Sequence, residues 1–100
     1  MVTRAQNEGH QQLLRELREE HVAALKRISG TLESLIDQLY ASRERVRRAS
    51  AADRDRELAA WHDLRARALK YRWYLEVQRE ALGMRRHGLL DEFYEVPRLE

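Results

Sequence analysis

The stretch RVRRASAADRDRE, residues 45–57, decides the fold. With Arg43 just ahead of it, four arginines (Arg43, Arg45, Arg47 and Arg48) crowd one side of Ser50, and three acids, Asp53, Asp55 and Glu57, follow on the other. Cations are favoured at the C-terminal pole of a helix and carboxylates at the N-terminal pole, by about 0.3–1 kcal/mol each at a surface. Serine is a preferred N-cap. The stretch therefore reads as the end of one helix, a tight turn at about residues 50–52, and the start of a second helix.

Working back from the turn, Leu14, Leu17, Leu25, Ile28, Leu32, Leu35, Leu39 and Val46 recur mostly at intervals of three and four, with Ala24 and Ile36 beside them. At about 100° per residue they form one stripe, which predicts a helix from about residue 11 to 49. Thr3 with Gln6 three residues on, or else Asn7, offers a weak start signal. Gly30 lies inside the pattern and costs about 1 kcal/mol relative to Ala. The stripe keeps its phase from Ile28 to Leu32, so the helix is expected to run through unbroken.

Working forward, the second helix is expected from about residue 51 to 87, roughly 55 Å at 1.5 Å per residue. RRHGL, residues 85–89, marks its end: Arg85, Arg86 and His87 suit the negative pole, Gly88 takes the left-handed conformation, and Leu89 folds back on Met84. Gly83 is a tolerated weak point within it. LLDEFY is then expected to form one more turn that packs Leu89, Leu90 and Phe93 on the hairpin, with Val96 and Pro97 extended or frayed. Leu99 and Glu100 read as a cloning remnant outside the fold. Two long helices joined by a short turn lie antiparallel. The expected fold class is all-α, a single long antiparallel helical hairpin of coiled-coil character over residues 1–100, its tail being residues 88–100. The register sets Tyr40 near Trp61, Leu32 near Tyr71, Leu25 near Gln78 and His21 opposite Leu82, to about one turn.

Composition agrees. With 36% charged residues, four Gly and one Pro, and a mean hydropathy of −0.77, the chain is suited to long solvated helices. No apolar run approaches the roughly 18 residues that cross a bilayer, and the first residues lack a signal-peptide core, so a cytoplasmic protein without a membrane partner is expected. The absence of cysteine excludes disulfides, thiolate metal sites and a cysteine nucleophile. The net charge of +2 hides a segregation: residues 41–88 carry 13 basic against 7 acidic side chains, whereas residues 89–100 carry 1 against 4. A basic middle and an acidic tail must both find a place.

KYRWYLEVQRE, residues 70–80, interleaves aromatics with cations. With Tyr71 at zero and about 100° per residue, Leu64, Tyr71, Leu75, Gln78 and Leu82 fall on the face turned to the first helix, with Trp61 and Ala68 at its edge. On the same wheel Trp73 lies at about 200°, Val77 at about 240°, Ala81 at about 280° and Tyr74 at about 300°, a second apolar stripe. A helix with two such faces is normally covered on both. A second copy of the chain supplies the missing cover, which predicts a homodimer assembled as a four-helix bundle through Trp73, Tyr74, Val77 and Ala81. The other readings are isolated exposed residues, or cover by the chain's own LLDEFY segment.

Chemistry finds less support. Arg43, Arg45, Arg47 and Arg48 resemble a phosphate-binding patch whose hold on nucleic acid would weaken steeply with salt. They equally match the pole of the helix they close and the acids opposite. Of the four histidines, His21 lies on the stripe as a hydrogen-bonded core residue or a pH-sensitive packing switch; His62 faces solvent, and His87 belongs to a helix end. None forms an H-x-x-x-H pair or a Glu-x-x-His motif, so no metal and no cofactor is expected. Gln78 on the core face fixes register or sits at a wet edge. With no nucleophile motif, no Gly-rich phosphate loop and no concave pocket to gather carboxylates, neither an enzyme nor a small-molecule substrate is expected. The expectation is a non-enzymatic, self-associating protein-interaction or scaffold module. The alternative is a small nucleic-acid-binding protein using the arginine flank.

Overall fold

The computed structural model describes residues 3–100. Two long helices, α1 (Arg4–Arg48) and α2 (Arg54–Ala81), pack against each other, and a short α3 (Gly88–Phe93) follows. Among the described residues there is no strand, and no helix is long and apolar enough to cross a membrane. The molecule is a rod of 73 × 22 × 16 Å.

α1 begins about two turns earlier than the stripe alone indicates. The weak start signal is real: Thr3 Oγ1 accepts from the Gln6 N–H at 3.2 Å while Gln6 Oε1 accepts from the Thr3 N–H at 3.0 Å, a complete capping box. The helix passes through Gly30 without a break. At its other end Arg45, Arg47 and Arg48 occupy the last turn, and Ala49 leaves it in extended conformation. Ser50 Oγ then accepts from the Asp53 N–H at 3.3 Å. The chain reverses over residues 49–53, with Asp55 and Glu57 in the first turn of α2.

The end of α2 differs from expectation. The helix stops at Ala81, six residues short of His87, and the left-handed residue is Gly83 (φ 86°), not Gly88. Gly83 N–H reaches Glu80 O and Met84 N–H reaches Arg79 O, both at 2.9 Å, the paired bonds of a Schellman motif. Gly88 instead opens α3. Both glycines precede an apolar residue, and the basic run just ahead of Gly88 pointed to the wrong one. What decides is the tail, which turns back at Gly83 to bring Leu90 into the core.

That core comprises Leu32, Leu35, Leu39 and Val46 from α1, Trp61, Ala68 and Leu75 from α2, and Leu90 from α3, with Leu25, Ile28, Leu64 and Tyr71 partly buried around it. Near the turn Arg45 reaches Glu57 at 3.5 Å. At the far end His21 Nδ1 lies 2.7 Å from Gln78 Oε1, about one turn from the expected pairing of Gln78 with Leu25. The two polar side chains satisfy each other at the half-buried seam. The ring N–H donates, because a carboxamide oxygen only accepts.

The tail is the larger correction. Val96 and Pro97, expected extended or frayed, lie outside any helix but do not fray: Pro97 is buried, and Tyr94, Val96 and Leu99 pack against the core, so Leu99 belongs to the fold. Arg43 donates to Arg98 O and Arg65 to Pro97 O, each at 3.2 Å, Arg72 pairs with Asp91, and Tyr94 OH donates to Glu33 at 3.3 Å. The acidic tail thus lies along the basic middle of the chain, which accounts for the charge segregation. Of the three residues expected to pack in LLDEFY only Leu90 does so; Leu89 and Phe93 are exposed. The tail also rotates the buried face of α2. Its most buried residues, Trp61, Ala68 and Leu75, centre about 60° from Tyr71, toward the side where Arg65 and Arg72 meet the tail.

Candidate self-association surface

α2 carries the second stripe on a side where neither α1 nor the tail covers Trp73 and Val77. Trp73 is 58% exposed and Val77 40%. Ala81 is exposed and Tyr74 half-buried. Trp73 is therefore neither in the hairpin core nor beneath the tail, although LLDEFY was one candidate cover. Leu69, 43% exposed, extends the ridge by one turn; its spacing of four to Trp73 and eight to Val77 is visible in the sequence, although the stripe predicted from it omits this residue. Tyr74 is held in place by its neighbours. Its ring meets Tyr71 edge-on at 5.5 Å and Trp73 at 5.6 Å, and Lys70 Nζ lies 5.8 Å from its centre. The ridge is thus backed by an aromatic cluster, a rigid amphipathic surface of the kind protein contacts use.

A second exposed apolar surface lies outside the sequence-based expectation. Because α1 has 45 residues and α2 only 28, α1 outruns its partner. Every residue from Thr3 to Glu20 is exposed, and His21 is the first to be half-buried. This arm, residues 4–20, spans about 25 Å. It presents Leu13, Leu14 and Leu17 at 53%, 51% and 45% exposure. Leu14 and Leu17 continue the phase of the buried stripe, but α2 ends before reaching them. The arm forms the end of the rod opposite the turn, and by the pairing of His21 with Gln78 the ridge lies about halfway along the rod.

The arginine flank is engaged within the chain. Arg43 donates to Arg98 O and stacks over Tyr40 at 4.9 Å. Arg45 pairs with Glu57, and Arg47 and Arg48 with Glu44, at 2.7 and 4.0 Å. An open cleft of about 630 Å³ at the turn is lined by Glu44, Arg45, Arg48 and Glu57 with Ser50 and Asp53. His87 lies 3.0 Å from Glu80; His10 and His62 are exposed. Among the described residues no group of three or more His, Asp or Glu side chains could hold a metal ion. Tyr94 is the group whose titration is clearly displaced: burial first, then the neighbouring Glu33 carboxylate, raise its pKa above the usual 10.0.

No protein-family model, curated protein or solved structure matches this chain.

Proposed function

We propose that this chain is a self-associating helical interaction module without chemistry of its own. It forms a twofold homodimer in which the helices of two copies make a four-helix bundle, and it docks through Trp73 and Val77 with Tyr74, Ala81 and Leu69 around them. The observation that carries this is the 58% exposure of Trp73 on a face that neither α1 nor the tail covers. A contiguous apolar ridge set on a rigid helix is a normal protein-contact surface. The Arg43, Arg45, Arg47 and Arg48 flank is the weaker candidate surface, since each guanidinium already has a partner in the chain. Nucleic-acid binding is therefore the lesser alternative.

Trp73→Glu tests the proposal. In light scattering the wild-type chain is expected at twice the monomer mass and the variant at the monomer mass, with unchanged helix content by circular dichroism. An unchanged mass in the variant, or a wild-type chain that is monomeric at high micromolar concentration, removes the basis of the proposal.

A further inference from the structure

Resting on that proposal, we infer which part of the second copy covers the Trp73 ridge: it is the arm, residues 4–20, and each copy lays its arm on the α2 of the other. Three observations converge on this. The first is that two surfaces need cover, not one. Helices in proteins draw most of their stability from packing an apolar face, yet the arm stands clear of the hairpin with Leu13, Leu14 and Leu17 exposed. Pairing α2 directly with α2 would leave that stripe bare. Laying arm on α2 covers both surfaces in one isologous contact, where the same pair of patches meets twice about a twofold axis.

The second observation is fit. The arm forms the open end and the ridge sits about halfway along the rod, so an axis perpendicular to the rods, with the two open halves overlapping, lays each arm along the partner's ridge and parallel to the partner helix. The ridge from Leu69 to Val77 spans about 12 Å, within the roughly 25 Å of the arm. Side chains at the turn end do not take part, and there the surface is charged and internally paired.

Charge is the third. The half of α2 that carries the ridge, residues 64–81, has five basic side chains (Arg65, Arg67, Lys70, Arg72, Arg79) and two acidic ones, whereas residues 4–20 carry three basic and four acidic. Two such halves face to face bring a net +3 against a net +3, separated by about a Debye length or less at physiological salt. The arm brings a net −1 against +3. Like charge opposes direct α2 pairing, and the arm avoids it.

The chain has no cysteine, so introduced thiols give an unambiguous test in the full-length protein. Leu14→Cys and Val77→Cys chains are mixed in equal amounts, oxidised mildly, and the linked dimers identified by mass. The expected product is the mixed adduct, Leu14→Cys to Val77→Cys, forming ahead of either homodimer. A Val77→Cys homodimer as the main product overturns the arm inference while leaving self-association through the ridge intact. A Leu14→Cys homodimer as the main product, or no linkage, also overturns it. In parallel, Leu14→Arg/Leu17→Arg is expected to sediment as a monomer that melts as the Trp73→Glu monomer does, because the arm makes no contact within the hairpin. If that variant stays dimeric while Trp73→Glu is monomeric, the ridge is the interface and the arm is not its occupant.

Discussion

The two glycines that flank the RRH segment should respond to alanine with opposite sign. Gly83 adopts φ 86°, and a Cβ built there meets nothing within 4 Å. Its substitution cost is therefore conformational, without a clash: the left-handed region costs an L-residue about 1–2 kcal/mol. Restricting the unfolded chain returns about 0.4–1 kcal/mol. The net expectation for Gly83→Ala is a loss of roughly 1 kcal/mol, or about 4–8 °C in melting temperature for a domain of this size. Gly88 has no positive φ, stands at the first position of α3 and also has open space around its Cβ. Gly88→Ala should therefore be neutral or stabilising by up to about 0.5–1 kcal/mol. Melting followed by circular dichroism checks this, in the Trp73→Glu background so that association does not enter the apparent stability. A Gly88→Ala variant that loses more stability than Gly83→Ala would place the helix end at His87 and refute the assignment of the turn.

Within α3, Leu90→Ala should cost about 2–4 kcal/mol, because a nearly fully buried leucine leaves a cavity under the tail, whereas Phe93→Ala, 69% exposed, should stay within about 0.5 kcal/mol in urea unfolding of the monomer. Equal costs would show that the tail is not docked through Leu90. The raised pKa of Tyr94 has a definite sign. The folded state holds the phenol proton more tightly than the unfolded chain, so this contribution is complete below about pH 10 and is lost as pH rises through the folded value. An ultraviolet titration of the phenolates should show one tyrosine ionising after the others, and Tyr94→Phe should remove that late step; a late step that survives the substitution would assign it elsewhere.

The hairpin was legible because its signals are local and agree. The poles of charge around Ser50 and the apolar stripe from Leu25 to Val46 both specify two antiparallel helices, and α1 and α2 form there. Three features escaped for one shared reason, that they depend on what lies across the chain from a residue. Nothing local marks Gly83 rather than Gly88 as the helix terminator. Leu14 and Leu17 keep the stripe's phase, and only the shorter reach of α2 leaves them uncovered. The end of the tail reads as extended or frayed at Val96 and Pro97 and as outside the fold at Leu99, but Arg43, Arg65 and Arg72 donate to the tail's carbonyls and its aspartate, and that satisfaction of backbone groups lets Val96, Pro97 and Leu99 settle on the core. Of the candidate surface, periodicity found Trp73, Tyr74, Val77 and Ala81. Leu69, at about 160° on the same wheel, escaped because it precedes the aromatic run in which the second stripe stands out.

The tail's seat is assembled from both long helices: Glu33 and Arg43 belong to α1, and Arg65 and Arg72 to α2. Neither helix alone offers the site, and its contacts join residues 55 and 61 positions apart in sequence. Helix pairing can zip outward from the turn through near neighbours, while closing such long loops carries a larger entropic cost. The last thirteen residues are therefore late arrivals, a clasp that fastens only once the two arms of the hairpin have met and that lets go as soon as they part.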